Sequence, residues 1–179
     1  DADNDCDGLI DEGRACAVVD LSITGLTACA VLRGGDIKCW GEQVADGMSP
    51  VIGDDPDEVG HGLLAIPFES RALQVARSRE HACAVFEDGR VGCWGRNSEG
   101  QLGLESGVST SRGFARLSVE ATQVAVTATG TCALAMDGAV YCWGDHQLSG
   151  LGVASDRPIG GRPRDISALP PLDLGAPAL

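Results

Sequence analysis

One thirteen-residue phrase, written three times, constrains this chain more than any other feature. It reads CAVLRGGDIKCWG from Cys29, CAVFEDGRVGCWG from Cys83 and CALAMDGAVYCWG from Cys132. Each copy is Cys-x9-Cys followed at once by Trp-Gly, and the copies start 54 and 49 residues apart. A period of that size belongs to architectures that stack small supersecondary units, none of which buries its apolar face alone.

Within each phrase two short apolar runs flank a polar tripeptide ending in Gly. In the middle copy these are Ala82–Phe86, then Glu87-Asp88-Gly89, then Arg90–Trp94. This predicts a hairpin with a three-residue loop, the glycine taking the left-handed position; Gly35 and Gly138 hold the same slot. The loop sets the register: Val85 faces Val91, Ala84 faces Gly92 and Cys83 faces Cys93. Opposed residues of an antiparallel pair have Cα atoms roughly 4.5–5.5 Å apart, within the reach of a disulfide. Cys29–Cys39, Cys83–Cys93 and Cys132–Cys142 are therefore expected bridges. The partner pairs Val31–Ile37, Val85–Val91 and Leu134–Val140 share the cysteine face, while Ala30, Ala84 and Ala133 lie on the other. Both faces are apolar or small, so each hairpin needs a sheet packed on either side, as radially arranged blades provide.

These residues resemble the regulator of chromosome condensation repeat family, whose members form seven-bladed β-propellers. The middle copy carries most of the family's pattern: Val75-Ala76, His81, Ala84-Val85, Asp88-Gly89, Val91, Trp94-Gly95, Asn97 and Gly100-Gln101-Leu102-Gly103. The third keeps Asp137-Gly138, Val140, Trp143-Gly144 and Leu151-Gly152. The first keeps Ala30-Val31 and Trp40-Gly41. Ser78, Thr24 and Thr127 stand where the family has Gly, and Thr27 and Gly130 replace its His. The resemblance covers residues 18–179 and implies an all-β chain: a partial propeller of about three to three and a half blades, each with a disulfide-closed antiparallel hairpin. The expected divisions are 18–69, 70–118, 119–155 and the start of a further repeat at 156–179. Leu104–Leu117 reads as a Ser/Gly-rich link, Glu42–Pro67 as a long surface loop, and Ala154–Leu179, with five of the eight prolines, as a lead toward a further blade. Three blades fall short of the 4–8 of a closed propeller, so the chain reads as a piece of a longer protein, with closure by oligomerisation the alternative.

Residues 1–17 form a separate segment. DADNDCDGLIDEG holds five Asp and one Glu in thirteen positions. Asp3, Asp5, Asp7 and Gly8 follow the opening of a calcium loop, in which alternate side-chain oxygens converge on one hard cation and Gly permits the turn. Leu9 would add its carbonyl and Asp11 would close the set. An EF-hand needs Glu at its twelfth position, where Arg14 stands, so the segment resembles instead the shorter aspartate-rich repeats of thrombospondin type 3. Cys6 and Cys16, a fourth Cys-x9-Cys pair, would pin it.

Eight cysteines in four such pairs indicate an oxidising compartment. Structural zinc favours cysteines two to four residues apart, and no such pair occurs. The net charge of −13 argues against nucleic-acid phosphates and anionic membranes as partners. Ala15–Leu32, the most apolar stretch, contains Asp20 and several Ser and Thr and is not read as membrane-spanning. A secreted or cell-surface protein is expected.

No catalytic constellation emerges. The sequence lacks G-x-S-x-G, a P-loop and G-x-G-x-x-G. His61, His81 and His146 share no metal-ligand spacing, and His81 occupies a structural slot of the family. Trp40, Trp94 and Trp143 read as packing residues. Glu69, Asp88, Glu99 and Asp137 fall in turns or loops rather than around one cleft. The expectation is a non-enzymatic scaffold that binds a protein through loops 42–67 and 104–117. Guanine-nucleotide exchange, as in the family's eukaryotic founder, and a polysaccharide-active propeller enzyme are the alternatives.

Overall fold

A computed structural model of the 179-residue chain describes residues 17–42, 52, 53, 55, 58, 62–105, 108–145, 157–162 and 164–175. Among these the chain forms ten strands and no helix: β1 (Val18–Thr24), β2 (Thr27–Leu32), β3 (Ile37–Gly41), β4 (Ala72–Arg77), β5 (His81–Phe86), β6 (Val91–Arg96), β7 (Thr110–Phe114), β8 (Ala121–Val126), β9 (Gly130–Ala135) and β10 (Val140–Gly144). They form three antiparallel sheets, β1-β2-β3, β4-β5-β6-β7 and β8-β9-β10. Each sheet is one blade.

The hairpin register is the one the sequence dictates. Cys29 opposes Cys39, Cys83 opposes Cys93 and Cys132 opposes Cys142. All three pairs are disulfide-bonded, with Cα atoms 4.0, 4.1 and 4.1 Å apart. Gly35, Gly89 and Gly138 close the loops with φ of 93°, 75° and 86°, a region that penalises any Cβ. The Trp-Gly ending has its own backbone reason. Gly41, Gly95 and Gly144 have φ of 93°, 110° and 101°, and a Cβ on Gly144 would collide with the Thr129 carbonyl oxygen.

Every blade also has an inner strand with the same irregularity. Pairing skips one residue between Val18 and Asp20, between Ala72 and Gln74, and between Ala121 and Gln123. Such a bulge turns the next side chain toward the neighbouring blade.

Blades pack cysteine face to alanine face. Cys29, Val31, Ile37 and Cys39 of the first blade cluster with Ala72, Val75, Ala82, Ala84, Phe86 and Trp94 of the second. Cys83, Val85, Val91 and Cys93 of the second cluster with Ala121, Val124, Ala133, Ala135, Tyr141 and Trp143 of the third. Small side chains on one face allow close approach to the branched side chains on the other, and this burial drives the assembly.

The expectation for Leu104–Leu117 requires correction. It is not only a link: Thr110–Phe114 forms β7, the fourth strand of the second blade, paired with β6. Thr, Ser and Gly read as loop composition, but β7 is an edge strand with one hydrogen-bonded neighbour, where apolar alternation is not required. The Glu42–Pro67 loop likewise contributes pairing. Ile52 bridges Gly41 and Ala65 bridges Lys38.

Candidate functional site: the outer rim of the blades

The outer edge is where the three blades differ. In the second blade, Ser111 opposes Gly95 and Phe114 opposes Gly92 on the continuous strand β7. In the first blade the equivalent positions are Ile52, opposite Gly41, and Ala65, opposite Lys38, two bridges from separate points of the chain. In the third blade Ile159 bridges Gly144, and the Leu172 N–H donates to the Val140 carbonyl at 2.7 Å. Ile159 and Leu172, both within the stretch 156–179 that the sequence reading assigns to the start of a further repeat, pair with the outer edge of the third blade.

The stretch around Ile159 is held by two carboxylates. Asp165 accepts hydrogen bonds from Arg157 (2.8 Å and 3.1 Å), from the Gly160 N–H and from the Arg162 N–H, both 3.0 Å. The Arg157 guanidinium in particular keeps the Asp165 carboxyl below its ordinary range. Glu105 reaches across from the second blade and accepts from Ile166 N–H, Ser167 N–H and the Ser167 hydroxyl, at 2.9, 2.9 and 3.0 Å. Burial opposes its charge, but these donors outweigh burial and hold its pKa low. Glu105 does this from a positive φ of 53°, a conformation that costs an ordinary residue about 1–2 kcal/mol.

Between the 97–100 turn of the second blade and the 157–162 segment of the third lies a cleft of about 420 Å³. Ser98, Glu99, Ser109, Pro158 and Arg162 are among its lining residues. Its floor is rigid. Asn97 caps the turn through Leu102 N–H (3.0 Å) and the Val108 carbonyl (3.1 Å). The Gly103 carbonyl accepts from Arg116 N–H, and the Gly160 carbonyl from Glu105 N–H.

The Gly-Gln-Leu-Gly phrase locks the second blade to the third. The Gln101 carbonyl accepts from Trp143 Nε1 at 3.0 Å and from the Thr131 hydroxyl at 2.8 Å. Thr131 Oγ1 lies 2.8 Å from His81 Nε2, and His81 Nδ1 lies 3.2 Å from Ser78 Oγ. His81 therefore does more than bond within its own blade; it bolts two blades together. Burial pushes its pKa down to about 4, against a raising effect of the Ala128 carbonyl and with a further lowering from Arg77. Trp94 and Trp143 are buried, and Trp40 is half-buried.

Among the described residues no group of three or more His, Cys, Asp or Glu side chains could hold a metal ion. The proposed calcium ligands Asp3, Asp5, Asp7, Leu9 and Asp11, together with Cys6, Cys16, His61 and His146, lie outside the described residues. Glu69, Asp88, Glu99 and Asp137 lie in turns and bends, as expected. Asp88 pairs with Arg90 at 2.7 Å, which holds its carboxyl below the usual range. Sequence reasoning passed over Asp20 and Gln74, although both stand nine residues before the first cysteine of their phrase. Asp20 accepts from Val75 N–H at 2.7 Å. Gln74 donates to the Val124 carbonyl at 2.9 Å and accepts from Val124 N–H at 2.7 Å.

Residues 74–101 match the family model of the regulator of chromosome condensation (RCC1) repeat. A Drosophila melanogaster protein, "Regulator of chromosome condensation", is 31% identical over 88 residues, 48% of this chain and 16% of its own length. These findings support the RCC1 repeat family for this chain. Solved structures agree on the fold. Human WBSCR16 superposes with a TM-score of 0.59 at 20% identity, over 71% of this chain and 33% of its own. Prp20p of Saccharomyces cerevisiae, solved in a study of its binding to Gsp1p and histones, gives 0.57 at 22% identity, over 87% of this chain and 36% of its own. Yeast Prp20 in a structure with Kap60 gives 0.56 at 22% identity, over 78% of this chain and 32% of its own. The chain thus spans about a third of these structures and a sixth of the fly relative, and its blades are RCC1-like propeller blades.

Proposed function

We propose that this chain is a non-enzymatic protein-interaction scaffold of an extracellular or cell-surface protein, carrying a calcium-binding segment at residues 3–11. The observation that carries the scaffold reading is the contrast between inner and outer strands. The three inner strands of each blade repeat in one register, while the outer edge is built differently in each: from Ile52 and Ala65 in the first, from continuous β7 in the second, and from Ile159 and Leu172 in the third. Recognition concentrates on variable segments held by a rigid frame. The cleft beside Ser98 and Arg162 is the surface assigned to the partner, and one RCC1-like neighbour, yeast Prp20, is described with Gsp1p and histones and in complex with Kap60. Three disulfides among the described residues support an oxidising location.

The test uses the oxidised protein on a surface, exposed to extracellular fractions, beside the double variant Ser98→Arg, Arg162→Glu. A protein retained by the native chain and lost by the variant is the expected outcome. Identical retention by both removes the cleft from the proposal. Calcium is tested separately by calorimetric titration of the native chain against Asp3→Ala, Asp5→Ala: heat that disappears in the variant is expected, and equal titrations remove the metal. A disulfide map with free thiols at Cys29, Cys83 and Cys132 in natively produced protein would reopen the intracellular, exchange-factor reading.

A further inference from the structure

We infer that the outer edge of the second blade takes an extended acidic segment of a partner protein as a further strand beside β7. The inference rests on the scaffold reading but uses a surface that shares no lining residue with the cleft beside Ser98 and Arg162. β7 is the last strand of the middle sheet, paired on one side only, to β6. Both neighbouring blades are present, so this edge is not exposed by where the sequence begins or ends.

The backbone decides which groups are on offer. The Ala115 N–H donates to the Val91 carbonyl at 2.8 Å, and the Ser109 carbonyl accepts from the Asn97 N–H at 2.7 Å. Odd-numbered residues along β7 therefore bond to β6, and Thr110, Arg112 and Phe114 turn their N–H and C=O groups away from it. At the far end the Arg116 N–H is taken by the Gly103 carbonyl at 2.9 Å. Among the described residues no strand lies beyond β7, so Thr110, Arg112 and Phe114 hold a row of main-chain donors and acceptors open to one more strand.

The side chains decide which strand fits. Alternation puts Arg112, Phe114 and Arg116 on one face, at steps of roughly 6.5–7 Å, and both arginines are exposed. From the start of the neighbouring strand, Arg90 lays its guanidinium 3.6 Å from the Phe114 ring centroid, held there by Asp88 at 2.7 Å. Phe114 is itself set by Phe68 and Phe86, each 5.3 Å away between centroids. A depression of about 450 Å³ lies against Arg90 and Arg116, with Phe114 and Leu117 also in its wall. Asp88 offsets Arg90, but neither Arg112 nor Arg116 makes an ion pair among the described residues. In a chain of 26 acidic and 13 basic residues, arginines at 90, 112 and 116 reverse the charge locally. A guanidinium matches a carboxylate bidentately, and one stacked on an aromatic ring is already oriented for it. The fitting strand therefore carries acidic, apolar and acidic side chains at alternate positions, opposite Arg112, Phe114 and Arg116. A second copy of β7 is the wrong occupant, because it would double the positive charge on one sheet face.

The probe is a labelled, capped peptide, Thr-Glu-Thr-Val-Thr-Glu-Thr, titrated by fluorescence anisotropy with the oxidised 179-residue chain at physiological salt. Saturable binding below about 1 mM is expected. The isomer Thr-Thr-Glu-Val-Glu-Thr-Thr cannot set acids opposite both arginines and should bind about tenfold more weakly. Arg116→Glu should weaken the first probe about tenfold, and one of its two single-lysine versions should bind that variant better than it binds the native chain. Thr110→Pro removes an outward N–H without touching β6 and should cost about threefold to tenfold, with circular dichroism and disulfides unchanged. Should that variant misfold, N-methylation of the probe gives the same reading: methyls on one set of alternate amides should abolish binding, and methyls on the other set should not. The double variant Ser98→Arg, Arg162→Glu should bind the probe as the native chain does. An edge charged only to repel strands binds no probe, and that result overturns the proposal. So does binding that follows net charge alone, equal for the two isomers and for both methylated probes. A native chain that ignores the probe yet retains a cleft-dependent protein from extracellular fractions keeps the scaffold reading and loses this one.

Discussion

His81 offers the sharpest quantitative test of how the blades are held. It is fully buried between blades, against Thr131 and Ser78, and its pKa falls from 6.5 to about 4. The unfolded chain therefore takes up the proton first as pH drops. Stability from the neutral imidazole is complete above pH 6.5, declines between 6.5 and 4, and is gone below 4. Across that whole window the loss is about 3 kcal/mol, and about 2 kcal/mol of it falls between pH 7 and 5. Asp88, Glu105 and Asp165 have lowered values, so their contributions are lost only as pH falls further, below the ordinary carboxylate range. Urea unfolding of the oxidised protein at pH 7 and pH 5 isolates the histidine when paired with His81→Gln, whose amide preserves a donor toward Thr131 and does not titrate. The variant should be less stable than the native chain at pH 7 and should lose about 2 kcal/mol less on going to pH 5. Equal losses in the two proteins would refute a buried neutral histidine as the inter-blade bolt.

Replacing Cys83 and Cys93 by Ala should lower stability by about 2–3 kcal/mol, the worth of closing a short loop, read by urea unfolding under non-reducing conditions. Gly89→Ala should cost more than Gly138→Ala: both incur the left-handed penalty of about 1–2 kcal/mol, but only Gly89 has Glu120 Cβ 2.6 Å from the new methyl. Thermal melts of the two variants rank them directly. Asp165→Ala should destabilise the stretch around Ile159 by about 2 kcal/mol, since four charge-assisted or backbone bonds converge on that carboxylate; hydrogen exchange should rise there and leave β5 and β6 protected. Gln74→Ala should cost about 1–2 kcal/mol for two lost bonds to Val124, visible as a lower urea midpoint.

The hairpins were legible because their determinants are local. A three-residue loop ending in Gly fixes the register, the register places cysteine opposite cysteine, and alternation then sorts Val85 and Val91 from Ala84 and Gly92. Strand β7 was not legible, because an edge strand with one partner needs no apolar pattern and Thr110–Phe114 carries the composition of a loop. The outer-strand pieces at Ile52, Ala65, Ile159 and Leu172 were hidden for a related reason. Each forms through backbone hydrogen bonds to a preceding hairpin, and backbone bonds leave no side-chain signature. Asp20, Gln74 and Gln123 were legible in principle. Their common offset from the cysteines repeats as faithfully as the Trp-Gly ending, but a polar residue in a strand draws little notice until the bulge that aims it is seen.

That polar series clarifies how blades with such small contact faces hold together. The alanine faces contribute little area each, so hydrophobic burial alone gives weak registration between neighbours. Directional bonds supply it: Asp20 and Gln74 address the backbone of the next inner strand, where no substitution of that strand's side chains can remove the partner. The disulfides act on a different step. Each closes a hairpin within one blade, restricting the unfolded chain without joining blades. Reduction and Gln74→Ala should therefore fail differently. Reduction lowers the stability of every blade, whereas loss of Gln74 loosens one junction and leaves the hairpins formed. Hydrogen exchange on the Gln74→Ala protein should show faster exchange at Val124 N–H while β5 and β6 keep their protection; uniform acceleration through all three blades would mean that the junction and the hairpins form one cooperative unit, and the division of labour argued from these contacts would be wrong.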